Sequence, residues 1–356
     1  MKYRGIIVDK IEKIKLTISG ANQEAMDKCK EILDSRMKPQ KSLGTLEELA
    51  IKVAGITGKP LNELRKGCHF IASADNGIIE EGVSSCPVEY TRIVSEAMLN
   101  SFAAIGILCE SLDIPLNLID VGIKTDIPRE YKNLYVRKIA YGTKNFAKEP
   151  AMTSKEVIEA ILVGINIIKE KKEYDFFSNG EMGIANTTTS SAILYALTKE
   201  SLDNVVGYGA GLSLEGLNRK KRVIEASCEK YELFDKNPIE VLRCVGGLDI
   251  ACMVGLYLGA ALEKKPMLID GFISAVAALV ATRIEPKVQD YLIGTHMSEE
   301  PGMKVVLKAL NLKTFLHMEM RLGEGTGAVL AYPILKAAMK IPKIMKTREE
   351  IYEIFQ

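Results

Sequence analysis

Residues 68–77 read CHFIASADNG, an apolar run of strand length that stops on aspartate, asparagine and glycine. A run with few polar alternations reads as a strand buried on both faces, and its glycine-bearing end as the turn that follows. The same grammar recurs in LNLIDVGI (116–123), VVGYGAG (205–211), PMLIDG (266–271) and YLIGTH (291–296). Longer helical patterns separate these runs, among them RIVSEAMLNSFAAIGILCESL (92–112) and KEVIEAILVGINIIKEK (155–171). Alternating strands and helices predict an α/β fold, a mostly parallel sheet with helices on both faces. In such a sheet ligands bind beyond the carboxyl ends of the strands. Chemistry is therefore to be sought in the polar, glycine-containing stretches 74–82, 179–191, 207–221, 294–302 and 322–327.

Outside this alternating region both ends read as helical. Thr45 with Glu48 three places on matches a capping box, and Leu46, Leu49, Ala50 and Val53 supply one apolar face. Pro342 and the tail KTREEIYEIF suggest a last helix. The two ends are expected to form a small helical domain, residues 1–65 together with 336–356, beside a large α/β catalytic domain over 66–335.

Composition narrows the functional classes. A chain of 356 residues with 47% hydrophobic residues can bury a large core. Lys+Arg 47 against Asp+Glu 46 leaves no basic footprint for nucleic acid or an anionic membrane. The seven cysteines contain no CxxC pair and the three histidines, His69, His296 and His317, stand far apart, so a reduced cytoplasmic protein without a structural metal is expected. The N-terminus is charged too early for a signal peptide. The most apolar stretch, MLIDGFISAVAALVA (267–281), carries Asp270 and is short for a bilayer span, which makes it a buried strand followed by a buried helix.

Three glycine-rich stretches carry candidate chemistry. In RLGEGTGAVLAYPIL (321–335), Glu324 stands among Gly323, Gly325 and Gly327 just before a helical run, either as a presented functional carboxylate or as an incidental charge on a solvated loop. GYGAG (207–211) misses the GxGxxG spacing, and Lys220 and Lys221 do not fit the Walker pattern, which disfavours a dinucleotide or a nucleoside triphosphate. A phosphomonoester remains open, because glycine-turn amides and a following lysine can cradle one. In GEMGIANTTT, Glu181 precedes Asn186 and the hydroxyls of Thr187 to Ser190, more than a helix cap needs. Asp120 and Asp270 read as loop caps, and His296 as a hydrogen-bonded structural group. No Ser/His/Asp order or nucleophile elbow is visible.

Taken in order, the stretches KSLGTLEELA, ADNGIIEEGV with Pro87 and Thr91, LIDVGI, GEMGIANTT, VVGYGAGL with RKKRVIE, LIDGFISAVAAL, YLIGTHMSEEPG and LHMEMRLGEGTGAVLAYPI closely resemble the nicotinate-nucleotide:dimethylbenzimidazole phosphoribosyltransferases, from about residue 10 to about residue 340. The resemblance implies a Rossmann-like large domain, a homodimer with active sites near the subunit boundary, and no cofactor. It implies transfer of the ribose 5-phosphate of nicotinate mononucleotide to an aromatic base. Glu324 then matches the catalytic glutamate and Glu181 the glutamate of a GE-x-G motif. Gly183, Asn186, Gly209 and Lys220 fall on segments that hold phosphate and ribose, with Ser298 reaching the phosphate from a partner subunit. Cys86, Val94 and Met182 fall where the incoming base is lined.

This chain departs from the pattern at Asn76, where relatives commonly carry histidine in ADHG. Its base-lining positions are apolar or weakly polar, so strict selectivity for dimethylbenzimidazole is in doubt. Two other readings stand beside the first: a paralogue activating phenolic or purine bases, in one version as half of a heterodimer, and a non-catalytic nucleotide-binding regulator. A base placed at the reacting atom speaks against the regulator.

Overall fold

A computed structural model describes Glu12 and residues 14–356. One sheet holds six strands: β1 (Gly67–Ala74), β2 (Leu116–Gly122), β3 (Leu134–Val136), β4 (Phe176–Met182), β5 (Met267–Ile269) and β6 (Leu292–Gly294). Their order is β3-β2-β1-β4-β5-β6 and every pairing is parallel. The chain winds outward from β1 to β3, then returns to the other side of β1 for β4. Between the carboxyl ends of β1 and β4, successive connections therefore diverge to opposite faces, which opens a crevice for a ligand.

The continuous apolar runs arise because both faces of the sheet are covered. On one face Phe70, Ala72, Val121 and Phe177 pack beneath the helices Ser154–Glu170, Leu248–Leu262 and Phe272–Ile284. On the other, Ile71, Leu118, Phe176 and Leu268 share a core with Leu33, Val53, Leu335 and Met339. These last four belong to the helices Gln23–Ser35, Thr45–Thr57 and Tyr332–Ile344. The two ends of the chain meet there: the Arg36 guanidinium donates to the Pro342 carbonyl and the Met37 N–H to the Lys346 carbonyl. A final helix, Arg348–Phe355, follows Pro342 as expected. MLIDGFISAVAALVA is a buried strand and a buried helix, also as expected.

Three local expectations are corrected. VVGYGAG contains no strand: Leu202–Val205 close a short helical turn, with the Val206 N–H donating to the Leu202 carbonyl at 3.0 Å. Two adjacent valines are too few to set a strand period, and Gly209 and Gly211, both at positive φ, turn the chain into the helix Leu214–Lys230. The segment 92–112 is two helices, Tyr90–Leu99 and Ala104–Ser111. Its break follows from Asn100, whose amide bonds the Glu96 carbonyl at 2.7 Å, and from Ser101 in a left-handed conformation. That break also divides a 22-residue apolar stretch, Tyr90–Ser111, into helices too short to span a bilayer. The Thr45–Glu48 capping box does not form, because Gly44 is the capping residue and Glu47 reaches back to the Leu43 N–H at 3.0 Å.

Candidate active site

A cavity of about 680 Å³ lies at the carboxyl ends of the strands. Four of the five glycine-containing stretches line it, through Glu181 and Asn186, through Gly209, through Ser298, and through Glu324. The fifth stays behind the wall: Asn76, buried, turns its side chain toward Asp249.

Glu324 owes its place to consecutive left-handed residues. Gly323, Glu324 and Gly325 have φ of 86°, 62° and 87°, a conformation costly for the glutamate and free for its neighbours. Close approach demands the glycines as well: a Cβ on Gly323 would lie 2.5 Å from Glu181 Oε1, and one on Gly327 1.9 Å from the His296 ring. Asp270 holds the turn from the side by accepting from the N–H groups of Gly325, Gly327 and Ala328 at 2.8 to 3.2 Å. It is a cap, as expected, but of the Glu324 turn rather than of its own loop. Asp120 caps its own loop through the Ile123 N–H at 2.9 Å. Glu324 Oε2 accepts from the Ile105 N–H at 3.2 Å, and burial raises the carboxyl above its ordinary value.

Glu181, next to last in β4, faces that turn. Its carboxylate accepts a short hydrogen bond from the Asn186 amide, which also donates to Asp249 Oδ2 at 3.2 Å. Burial, with Asp249 and Asp270 close by, pushes Glu181 up to about 8. Burial alone raises Asp249 to about 6. One amide thus joins two acids that both resist ionisation. Asp249, at the start of the helix Leu248–Leu262, follows the glycine pair Gly246 and Gly247, a signal that sequence reasoning missed; a Cβ on Gly247 would lie 2.3 Å from Asp249 Oδ1.

Opposite these acids stands a positive wall. Asn186 and Thr187 open the helix Asn186–Thr198 and line the cavity; Ala185 before them offers no side-chain cap, and the Gly183 and Ala185 carbonyls take the N–H groups of Asn186 and Thr188 at 3.1 and 2.9 Å. Lys220 is fully buried one layer behind, its ammonium donating to Thr187 Oγ1 at 2.9 Å and to the Gly207 carbonyl at 3.2 Å. Burial draws its pKa down to about 8, against the pull of Glu300. Ser298 lines the cavity of its own chain, whereas the resemblance implied a reach from a partner subunit. His296, read as structural, also lines the cavity, with Nδ1 3.6 Å from Asp270.

Cys86, Val94 and Met182 come together at the remaining wall with Gly183 and with Tyr90, which sequence reasoning missed. Among the described residues no group of three His, Cys, Asp or Glu side chains is placed to hold a metal ion.

A buried carboxylate facing a cavity whose far wall suits a phosphate fits acid–base chemistry on a phosphorylated substrate. Sequence similarity makes the class a transferase: the sequence model of the phosphoribosyltransferase family matches residues 18–351. The nicotinate-nucleotide–dimethylbenzimidazole phosphoribosyltransferase of Clostridium tetani is 42% identical over 97% of this chain and 95% of its own length. That of Acetivibrio thermocellus is 44% identical over 92% of this chain and 93% of its own. The crystal structure of CobT from Thermus thermophilus superposes with a TM-score of 0.88 at 36% identity, covering 92% of this chain and 98% of that one. The chain belongs to the nicotinate-nucleotide–dimethylbenzimidazole phosphoribosyltransferase family.

Proposed function

We propose that this chain moves the ribose 5-phosphate of nicotinate mononucleotide to 5,6-dimethylbenzimidazole or a related base, releasing nicotinate and an α-ribotide 5′-phosphate for cobamide assembly. The observation that carries the reading is the meeting of Glu324 and Glu181 in a cavity whose other wall is the uncapped helix start backed by Lys220.

The chemistry asks little of the leaving group. The ring nitrogen of the nucleotide is a pyridinium, so as the C1′–N bond breaks the electron pair neutralises it and no acid is required. The acceptor is the difficulty, since an azole N–H must lose its proton as the new N–C1′ bond forms. Glu324 takes that proton, its basicity raised by burial. Attack opposite the leaving group inverts β to α. Glu181, Asn186 and Gly183 hold the ribose, and Gly209, Ser298 and Thr187 hold the phosphate, with Lys220 behind them bonding Thr187 and lending its charge. Cys86, Val94 and Met182, with Tyr90, line the base. In-line holding is worth up to roughly 7 to 11 kcal/mol in favourable cases.

A homodimer fits the exposed apolar residues beside this wall: Ile93 and Ile107, 46% and 51% exposed on the pair of helices that includes Val94's, and Phe102, 80% exposed in the break between them. A cytoplasmic setting fits seven unpaired cysteines. The division into 66–335 and a helical unit of 1–65 with 336–356 is tested by limited proteolysis. The apolar base wall favours a permissive acceptor range. Purified chain incubated with nicotinate mononucleotide and single benzimidazoles, purines or phenols should release nicotinate and give a product of the ribotide mass. Binding of the nucleotide without nicotinate release for any acceptor would instead support a regulator.

A further inference from the structure

Beneath the Glu324 turn runs a chain of buried polar groups that the transfer itself does not use. His69, on β1, has Nε2 3.2 Å from the Glu324 carbonyl and Nδ1 2.6 Å from Ser178 Oγ on β4. Ser178 Oγ lies 2.7 Å from Tyr332 Oη, which lies 2.9 Å from the Cys68 carbonyl. His69, Ser178 and Tyr332 are at most 1% exposed. Each end of this chain is a carbonyl, which only accepts. Its four contacts therefore need four protons, whereas a neutral imidazole and two hydroxyls carry three. Either the imidazole is a cation, or one contact is not a hydrogen bond. Complete burial disfavours the cation and lowers the pKa of His69 to about 4.

The two ends are not equivalent. Cys68 lies inside β1, in register with Phe177 of β4, within a hydrogen-bonded ladder. The Glu324 carbonyl lies outside any strand in a left-handed turn, where His69 meets it. Two missing side chains make that meeting possible: a Cβ on Gly325 would lie 2.2 Å from His69 Nε2, and one on Gly180 2.3 Å from the Glu324 carbonyl carbon. We propose that His69 is a positioning residue for Glu324: a neutral imidazole, protonated on Nε2, donates to the Glu324 carbonyl and locks the turn that presents the carboxylate. Ser178 then donates to Nδ1, and one of the two Tyr332 contacts goes unmade. The inference rests on Glu324 being the base.

The tautomer is read directly by ¹⁵N NMR of the folded wild-type protein, which should show a buried neutral histidine with its proton on Nε2. A proton on Nδ1, or an imidazolium at neutral pH, overturns the proposal. Kinetics give a second arm. His69→Gln places an amide N–H near the Nε2 position, whereas the shorter side chain of His69→Asn reaches only toward Ser178. His69→Asn should lose roughly 10- to 100-fold in kcat at unchanged nucleotide KM, with most of it recovered in His69→Gln and with acceptors already ionised. Equal losses in both variants, or a change confined to nucleotide KM, overturn it. Glu324→Gln assayed alongside separates the two readings. If that variant keeps its rate, the base assignment and this proposal fall together; if it loses its rate while His69→Asn does not, this proposal alone falls.

Discussion

The backbone N–H of Ile105 donates to Glu324 Oε2 at 3.2 Å across 219 positions of sequence. Ile105 is the second residue of the helix Ala104–Ser111, and Ala103, the residue before the helix, supplies no side-chain cap. The Glu324 carboxylate occupies that capping position, and the helix start favours its ionised form. Burial and nearby Asp270 act the other way, with burial the larger effect. Since only the ionised carboxylate accepts a proton, kcat with a neutral benzimidazole should fall as pH drops through a value above the ordinary 4.5 of a glutamate. A pH–kcat profile checks this, and a limb at or below 4.5 would contradict the dominance of burial.

Glu324→Gln keeps the side chain's shape and its contact with Ile105 but cannot take a proton. We expect kcat to fall about 10²- to 10⁴-fold with nucleotide KM nearly unchanged. An acceptor partly ionised at the assay pH should be partly spared. Wild-type kcat with a neutral benzimidazole would move the role of base to Glu181.

How far the sequence carries this site depends on the range of the forces that build it. Strands β1 and β2 are legible because both their faces are buried, which writes an uninterrupted apolar run. Glu324 is legible because the turn that bears it needs glycines on both sides. His69 and Ile105 carry no such mark. Each reaches the site through a contact between residues far apart in the chain, and a histidine in an apolar run or an isoleucine in a helix looks ordinary where it stands. The break at Ser101 was missed for a related reason: the apolar pattern runs straight through it, and the polar competition at Asn100 and Ser101 is weak locally.

Lys220 cannot touch solvent, and its ammonium bonds Thr187 on the wall proposed to receive the phosphate. Lys220→Ala should raise nucleotide KM by roughly 10- to 150-fold, the equivalent of about 1.5 to 3 kcal/mol for a hydrogen bond to a charged group, while the KM for the base changes little. Steady-state kinetics with each substrate varied in turn decides it. An unchanged nucleotide KM would place the phosphate elsewhere.

A pyridinium leaving group needs no Lewis acid, so exhaustive chelation should leave the rate within about two-fold of untreated enzyme. The assay is nicotinate release before and after chelator removal. Activity lost to chelator and restored by one particular divalent ion would require a different mechanism.

Glu181 ties the site to the stability of the fold. Burial beside Asp249 and Asp270 gives its carboxyl a folded-state pKa of about 8, against 4.5 for an ordinary glutamate. As pH rises above 4.5 the unfolded chain releases this proton while the folded protein keeps it, so the unfolded state gains relative stability until the folded carboxyl also ionises near 8. Stability from this group is thus complete below the unfolded pKa and lost as pH rises through the folded one. Glu181→Gln, neutral at every pH and able to accept from Asn186, removes the dependence. The Tm of this variant minus that of wild type should be smallest near about pH 5, grow to about pH 8 and level off beyond. Asp249 shifts in the same direction but is present in both proteins, so it largely cancels in the difference. Scanning calorimetry across that range makes the comparison, and a constant difference would mean that Glu181 is already ionised in the folded protein at neutral pH.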